Sequence, residues 1–350
     1  PLQLRGPSRL HLPYLLSTHV VKRVAGGSLV GALAGLCAGI PFYYFLGDKG
    51  IVPAIVVLSL STYLFYSINL KKAVRIQPQS IKLREHIPQI KRLILLGMVL
   101  LAGDLAGAAC NYGVNIYLRY FGSLEIVGFY QAANSLTGQY AGMVFTAMSL
   151  DYFPRLTASI DDNVMMNKIV NRQTEMVAVV MAPIACIVIA TAPVILQLLL
   201  SDSFLDVVPL MRWMGVGVMF RALHYPMGYI AFAKNNRSLF FWLEVVVGNV
   251  LYILGVILFY YFFGLIGLGY AFVADNIVTL IIYVVVNYKA YRYKIDKKTL
   301  LHGFMCIFLV SVCFVFSFWE DATTSVVLTG LVSVCSLVYC LSVVKKKLRE

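Results

Sequence analysis

Several ionisable side chains lie deep inside apolar stretches of this sequence, where a charge requires a partner or water. They are Asp104, Arg221, His224, Glu244 and Asp275. An ionised group at the centre of a bilayer costs about 2.5–3.5 kcal/mol on insertion scales. Because arginine keeps its proton, Arg221 needs an opposite charge from one of the carboxylates or from an anionic ligand. Asp104, Glu244 and Asp275 are therefore candidates for charge pairing or for ion or proton coupling.

Arg221 shares one helical face with other residues of its stretch. Steps of 4, 3 and 4 residues connect Gly217, Arg221, His224 and Gly228. Arg212 falls on the opposite side, near the end of the helix, where its side chain can reach the membrane surface. Arg221 is thus the better candidate for binding a ligand. A permanent structural ion pair is the alternative for Arg221, and a hydrogen-bonded packing role is the alternative for His224.

Amide side chains mark two further stretches that are predicted to face protein or water. One stripe is Gly97, Asp104, Gly107, Asn111 and Asn115, and the other is Gly128, Gln131, Ser135, Gly138 and Gly142, flanked by Asn134 and Gln139. The residues predicted to form a polar path are Arg221, His224, Asn111, Asn115, Gln131, Asn134 and Gln139. Close packing through small residues is the alternative for the second stripe. The ladder of Gly27, Gly31, Gly35 and Gly39 is predicted to serve packing alone.

The elements that carry these residues are predicted from composition. The chain is 60% hydrophobic and 13% charged, against about 25% charged in soluble domains. Ten stretches are long enough to cross a hydrocarbon layer about 30 Å thick as helices. They run near 26–46, 51–70, 93–118, 125–149, 176–199, 207–231, 238–261, 267–288, 299–318 and 324–344. Because lipid cannot satisfy open backbone groups and strand-like alternation is absent, we predict an all-α integral membrane protein with about ten transmembrane helices.

The net charge of +13 is explained by where the basic residues fall. Of the 29 lysines and arginines, 25 lie in alternate loops, on the side that also holds both chain ends. This positive-inside pattern predicts cytoplasmic termini, with membrane lipid as a partner and no nucleic acid. The seven cysteines lie in apolar stretches without CxxC spacing, so neither a metal nor a cofactor is expected.

One segment of the chain is nearly repeated far downstream. FYYFLGDKGIVPA at 42–54 returns as FYYFFGLIGLGYA at 259–271, an offset of 217 positions. The ungapped comparison of 31–72 with 248–289 gives thirteen identities in forty-two positions. Both copies start on the cytoplasmic side and turn at Gly47 or Gly264, which is the pattern of a parallel repeat in secondary transporters. Chance similarity between aromatic-rich apolar stretches is the alternative.

The repeat predicts a larger plan. The second copy closes a set of six helices that opens near Leu93, and the same offset places the opening of the first set about 124 residues before Pro1. We therefore expect the C-terminal portion of a 14-helix, two-lobe fold, with four helices missing from the first lobe. Its parts are a cytoplasmic N-terminal segment (1–25), the last two helices of an incomplete first lobe (26–70), a basic cytoplasmic linker (71–92), a six-helix second lobe (93–290) and a C-terminal helix pair (299–344).

Four short motifs carry a resemblance to a known family. They are YQAAN at 130–134, DYFPRL at 151–156, NRQTE at 171–175 and RALHYPMGY at 221–229. With them the chain resembles the Wzx-type O-antigen and polysaccharide flippases of the multidrug/oligosaccharidyl-lipid/polysaccharide exporter superfamily. Weaker similarity extends over 26–290. Taken by itself, DYFPRL predicts that Pro154 ends a helix and that Asp151 caps the segment after it.

The resemblance implies a MATE-like fold of two lobes around a cavity. It also implies flipping of undecaprenyl-diphosphate-linked oligosaccharide repeat units across the bacterial cytoplasmic (inner) membrane, for O-antigen, capsule or exopolysaccharide. Arg221 is expected to hold the diphosphate of this lipid-linked oligosaccharide, and polysaccharide polymerase machinery is a candidate partner. Because part of one cavity wall is expected to be missing, the chain alone is not expected to translocate its cargo.

Two other classes of protein remain open. A cation-coupled drug exporter of the same superfamily would favour unpaired carboxylates over an arginine in its cavity. A membrane enzyme acting on lipid-linked sugars should carry catalytic acids on a substantial outer loop, whereas the acids at 202, 206, 320 and 321 lie in short turns without a paired base or metal set. We therefore predict a transporter and no enzyme. A lipid II flippase is a further alternative that none of the quoted residues favours.

Overall fold

The structure is a computed structural model that describes residues 30–73, apart from 32 and 43, and residues 83–349. In chain order the helices are α1 (30–46), α2 (Ile51–Ala73), α3 (Leu83–Phe121), α4 (Leu124–Ala158), α5 (Asn163–Leu199), α6 (Val208–Ala233), α7 (Arg237–Phe240), a π-helix (Phe241–Val247), α8 (Gly248–Tyr291), α9 (Lys297–Phe316) and α10 (Ala322–Arg349). The predicted N-terminal segment 1–25, Gly27 and the linker residues 74–82 lie outside the described residues.

The all-helical prediction is confirmed, because helices cover nearly all of the described parts of the ten predicted spans and those parts hold no strand. Five helical stretches are long and apolar enough to cross a membrane: Asn163–Leu199, Asp202–Ala233, Arg237–Tyr291, Lys297–Phe316 and Thr323–Lys347. The third has 55 residues and bends at Gly264, so it covers two of the predicted spans. Helices α3 and α4 are longer than a membrane crossing requires, and they carry Asp104 and the amide stripes.

Contacts divide the chain into two units, Pro1–Pro88 and Gln89–Glu350. In the first unit, α1 and α2 form a hairpin whose backbones approach closely at glycines. A Cβ atom added to Gly31 would lie 2.8 Å from Cα of Thr62, and one added to Gly35 would lie 2.8 Å from Cα of Leu58. Gly39 also faces α2. All three glycines thus face α2, as the predicted packing role requires, and a side chain at Gly31 or Gly35 would force the helices apart.

In the second unit, α6 lies at the centre. It packs chiefly against α8 and α5, and also against α4 and α9. Met211 and Met214 of α6 and Met181 and Ile189 of α5 are fully buried in this core. Arg221, on the same helix, stays exposed and lies outside this apolar core.

The two repeat hairpins share their turn geometry. Gly47 has φ of 55° and Gly264 has φ of 60°, a conformation that residues with a Cβ atom rarely adopt. One alanine after each turn meets a glycine of the preceding helix. The distance from an added Cβ to the alanine Cβ is 3.6 Å at Gly39 and 3.8 Å at Gly255, and these two glycines differ by one position from the repeat offset. The turn glycines are one repeat offset apart in sequence, which favours a true repeat over chance similarity.

Two expectations about helix ends differ from the structure. Pro154 does not end a helix, because α4 continues through it to Ala158. Asp151 forms an ion pair with Arg155 at 2.7 Å and caps nothing. Proline removes one backbone hydrogen bond, and membrane helices tolerate this loss where neighbouring groups satisfy the freed carbonyl. Helix α3 begins at Leu83, so the last part of the predicted linker is helical.

Candidate functional site

Arg221 lies exposed in a polar cavity between helices of the second unit. Two adjoining cavities of about 260 and 330 Å³ share five lining residues and so form one space. The shared residues are Arg221, His224, Glu244, Gly248 and Thr279. Asn111, Asn134 and Asp275 line the larger cavity. Six predicted site residues from α3, α4, α6, α8 and the π-helix therefore meet at one place.

Glycines on α6 bring this helix close to α8 and the π-helix. A Cβ atom at Gly217 would overlap the Phe272 ring, and one at Gly228 would lie 2.8 Å from a carboxylate oxygen of Glu244. Arg221 therefore lies between two points where α6 closely approaches its neighbours. Its guanidinium is held beside the aromatic ring of Phe145, 5.8 Å from the ring centroid.

Arg221 forms no ion pair with any carboxylate in the part of the chain that the structure describes. The structural ion pair considered as an alternative is therefore not present in this conformation. A cation–π contact of this kind leaves the five N–H donors of the guanidinium largely available. Arg212, in contrast, lies over the ring of Phe318 at 5.1 Å, away from the cavity.

His224 combines a packing role with a place in the cavity wall. Its Nε2 lies 3.2 Å from Oδ1 of Asn276, and its ring stacks on Tyr283 with centroids 5.6 Å apart. Asn276 in turn donates to the carbonyl of Phe272 at 2.7 Å. The hydrogen-bonded role expected as an alternative for His224 is therefore observed, and it fixes the imidazole at the edge of the cavity.

Glu244 lies on the π-helix, Phe241–Val247. The wider turn of a π-helix displaces side chains from the register of an α-helix, and such segments are frequent at functional sites. The Tyr283 hydroxyl donates a hydrogen bond to the Glu244 carboxylate. The side-chain amide of Asn249 donates to the carbonyl of Val245 at 2.8 Å, which stabilises the end of the widened turn.

Two buried acceptor atoms in the cavity wall lack donors. Oδ1 of Asp275 and Oδ1 of Asn111 have no hydrogen-bond partner among the described residues. Both residues line the larger cavity. Buried polar atoms are nearly always satisfied in proteins, so these two indicate donors that come from water, a bound ion or a cargo.

The other predicted site residues lie away from the cavity lining. Gln131 donates to Oδ1 of Asn115 at 2.8 Å, so these two amides satisfy each other. Asp104 and Gln139 are exposed on α3 and α4. None of these four lines either of the two cavities. The place on a polar path predicted for Asn115, Gln131 and Gln139, and the charge pairing or ion or proton coupling predicted for Asp104, are not supported by this conformation of the second unit and stay predictions.

Several cavity residues were missed by the sequence analysis. Tyr130 and Tyr252 share a hydroxyl–hydroxyl hydrogen bond of 2.7 Å across the larger cavity. Thr279 and Tyr283 follow Asp275 at steps of four residues, so a helical projection of 267–288 contained the signal. No such signal exists for Tyr252. Its place in the cavity depends on how the two segments of α8, before and after the bend at Gly264, pack against each other.

Comparisons with known proteins agree with the helical fold. A family described as polysaccharide biosynthesis protein matches residues 2–209. The chain is similar in structure to the lipid II flippase MurJ in its inward closed conformation, with a TM-score of 0.60 and 15% identity. The similarity covers 89% of this chain and 66% of that one, so the chain spans less than two thirds of the solved structure. No curated protein sequence matches the chain.

Two conclusions follow from the helices and from the family match. The helical stretches long and apolar enough to cross a bilayer make this a multi-pass membrane protein. Since the matching family covers more than half of the sequence, the chain belongs to the polysaccharide biosynthesis protein family.

Proposed function

We propose that this protein flips a lipid-linked oligosaccharide across the membrane and that Arg221 binds the phosphate groups of this cargo. The observation that carries the proposal is the exposed guanidinium of Arg221 inside a polar cavity of the second unit, with no ion pair to any described residue. An arginine side chain stays protonated even at membrane depth. A cavity that exposes its guanidinium therefore favours an anionic ligand.

The groups around Arg221 suit the other parts of such a cargo. A guanidinium binds phosphate oxygens through paired, charge-assisted hydrogen bonds. Asn111, Asn134 and Thr279 line the larger cavity beside it and offer the amide and hydroxyl groups that sugars require. A polyprenyl chain would remain in the surrounding lipid. The family and the MurJ-like fold support lipid-linked sugar flipping as the general activity.

The finer assignment is part of the proposal. We infer that the cargo is an undecaprenyl-diphosphate-linked repeat unit for O-antigen, capsule or exopolysaccharide, carried outward across the bacterial inner membrane. The four motifs and the alternating basic loops support this interpretation, and the loops also favour cytoplasmic termini. Polysaccharide polymerase machinery is the partner that such a cargo would need after flipping. On this interpretation the protein transports its cargo and catalyses no reaction on it.

A cation-coupled drug exporter is the second candidate, and one observation favours it. Asp275 places an unpartnered carboxylate oxygen in the same cavity, and Glu244 adds a second carboxylate. Amphipathic cations would bind such groups. The two candidates therefore differ in whether Arg221 or Asp275 contacts the cargo, which a pair of substitutions separates.

The test uses a strain whose surface polysaccharide depends on the gene that encodes this chain. Hydrogen bonds to charged groups contribute about 1.5–3 kcal/mol, so Arg221→Ala should lower flipping by about 10- to 100-fold. Surface polysaccharide, measured by gel staining, should fall accordingly, while resistance to cationic dyes stays normal. Arg212→Ala is the matched control, because it removes the same side chain from the same helix outside the cavity.

Three outcomes are decisive. Loss of polysaccharide in Arg221→Ala with a normal Arg212→Ala strain supports the proposal. Unchanged polysaccharide in Arg221→Ala overturns it. Dye sensitivity in Asp275→Asn together with normal polysaccharide in both arginine variants would establish the drug exporter instead.

A further inference from the structure

A second cavity, of about 380 Å³, lies at the basic end of the second unit and is separate from the one that holds Arg221. Three helices form it, where α5 and α9 begin and α10 ends. Its cationic lining residues are Lys168, Arg172, Lys298, Lys346 and Lys347, and its acidic ones are Glu175 and Asp296. The lining therefore carries an excess of positive charge from residues far apart in the sequence.

One of the two acidic residues already has cationic partners, and five cationic side chains still outnumber the two acids. Glu175 is buried, and its carboxylate already binds Lys347 and lies 3.2 Å from Nε2 of His302. Arg172 donates to the backbone carbonyl of Lys347 at 3.5 Å, which keeps its guanidinium at the cavity. Glu175 therefore serves to fix Lys347 in the wall.

Three lysines of the lining lack partners of their own. Lys168, Lys298 and Lys346 are exposed, and their side chains form no hydrogen bond or ion pair with any described residue. They come from α5, α9 and α10, one from each helix. Like charges that converge on one concave space repel each other, so an anion placed between them would stabilise the arrangement.

Exposed apolar residues lie close to the cavity residues in the sequence of α9 and α10. On α9, Leu300, Leu301 and Phe304 closely follow Lys298 and are 65%, 61% and 64% exposed. On α10, Leu341 is 60% exposed, six residues before Lys347. Cations at the ends of spanning helices with apolar faces beyond them match the two parts of a phospholipid: a phosphate at headgroup depth and acyl chains along the helices.

We propose that this basic cavity binds the phosphate headgroup of one anionic membrane phospholipid, such as phosphatidylglycerol. The site is distinct from the proposed cargo site and involves none of its residues. Its occupant would hold α5, α9 and α10 together through one shared anion. General attraction of basic loops to anionic membranes differs from this proposal, because that attraction depends on the number of charges and not on their convergence.

The test compares two triple variants of the purified full chain in detergent micelles. Lys168→Gln/Lys298→Gln/Lys346→Gln removes three cavity lysines. Lys289→Gln/Lys294→Gln/Lys297→Gln removes three exposed lysines from the same end of the unit, outside the cavity lining. Native mass spectrometry counts the phosphatidylglycerol and phosphatidylcholine molecules of equal chain length that each protein retains. Circular dichroism verifies equal helix content.

We expect the wild-type chain to retain one phosphatidylglycerol in preference to phosphatidylcholine. Each cavity lysine should contribute about fivefold to retention, from about 1 kcal/mol per basic residue near an anionic lipid. The cavity variant should therefore lose the lipid, while the control variant should keep it within about twofold. Lys168→Arg/Lys298→Arg/Lys346→Arg should also keep it, because the charges remain.

Equal losses in both glutamine variants would overturn the proposal in favour of general charge attraction. A lack of preference for phosphatidylglycerol in the wild type would also overturn it. Displacement of the lipid by millimolar inorganic phosphate would assign the cavity to a soluble phosphate and overturn the lipid as its ligand.

Discussion

The two repeat hairpins differ in how closely their helices pack, although their sequences share thirteen identities. In the first hairpin, Gly31 of α1 lies against Thr62 of α2, and an added Cβ would lie 2.8 Å from the backbone there. The equivalent residues of the second hairpin are Gly248 and Thr279. An added Cβ at Gly248 meets nothing closer than the carbonyl of Leu243 at 3.5 Å, and both equivalents line the cavity. The second hairpin is open where the first is closed.

Two substitutions between the copies account for this difference. Gly35, which lies against Leu58 in the first hairpin, corresponds to Tyr252 in the second, and Leu58 corresponds to Asp275. A glycine lets two backbones approach, whereas a tyrosine ring holds them apart. The Tyr252 hydroxyl also bonds to Tyr130 of α4, which draws the ring toward another helix. The cavity thus lies where the second copy has a tyrosine and an aspartate in place of the glycine and leucine of the first.

The largest effect is expected from Asp275→Leu, which gives the second hairpin the residue that the first hairpin has at the equivalent position, Leu58. Asp275→Leu removes a buried oxygen that has no described partner, so the free energy of unfolding should rise by about 1–3 kcal/mol. Flipping should fall to background, because an apolar side chain in the wall would make the cavity that holds Arg221 unfavourable for a polar cargo, without any contact between Asp275 and the cargo. Thermal unfolding followed by circular dichroism and surface polysaccharide measure the two effects. Asp275→Asn, of equal size, is the control, and full flipping by the leucine variant would separate this cavity from the transport path.

Sequence reasoning predicted the helices and the central residues of the site, because both depend on patterns within one helix. Apolar composition and length predict the membrane-spanning helices. The 4, 3, 4 spacing around Arg221 predicts which face of its helix the side chain lies on. Sequence reasoning did not predict the place of Tyr252 in the cavity. That place depends on the distance between the two segments of α8 on either side of Gly264, which is a tertiary property. The π-helix around Glu244 was also missed, because its register departs from the 3.6-residue period. Asp104 and Gln139 have the right residue types, yet this conformation leaves them outside the two cavities.

A second pair of substitutions tests the closed and open packing directly. Gly31→Ala should lower the free energy of unfolding by about 1–3 kcal/mol, because its Cβ would press on the Thr62 backbone. Gly248→Ala, at the equivalent position, should be neutral or stabilise by up to about 1 kcal/mol through higher helix propensity. Thermal unfolding of the two purified variants measures this contrast. Equal destabilisation by both would mean that the second hairpin is also closed.

Substitution of the turn glycine should destabilise both hairpins to a similar extent, whereas substitutions in their helices should not. Gly47→Ala and Gly264→Ala each place a Cβ atom at positive φ, which costs about 1–2 kcal/mol. Asparagine tolerates this conformation better, so Gly47→Asn and Gly264→Asn should lose less. Denaturation midpoints of the four variants measure the difference. Gly138→Ala, at a helical glycine with open space around it, is the control and should not destabilise.

The smallest effect is expected at the hydroxyl that joins Tyr252 to Tyr130. Tyr252→Phe removes the 2.7 Å hydrogen bond and keeps the ring, so it should lower the free energy of unfolding by about 0.5–1.5 kcal/mol and leave flipping intact. Tyr130→Phe should have a similar effect, and the double variant should lose little more than either single one, since they share one bond. Tyr252→Ala removes the spacer itself. If the ring holds the hairpin open, the alanine variant alone should impair flipping, whereas equal impairment by phenylalanine would show that the hydroxyl contacts the cargo.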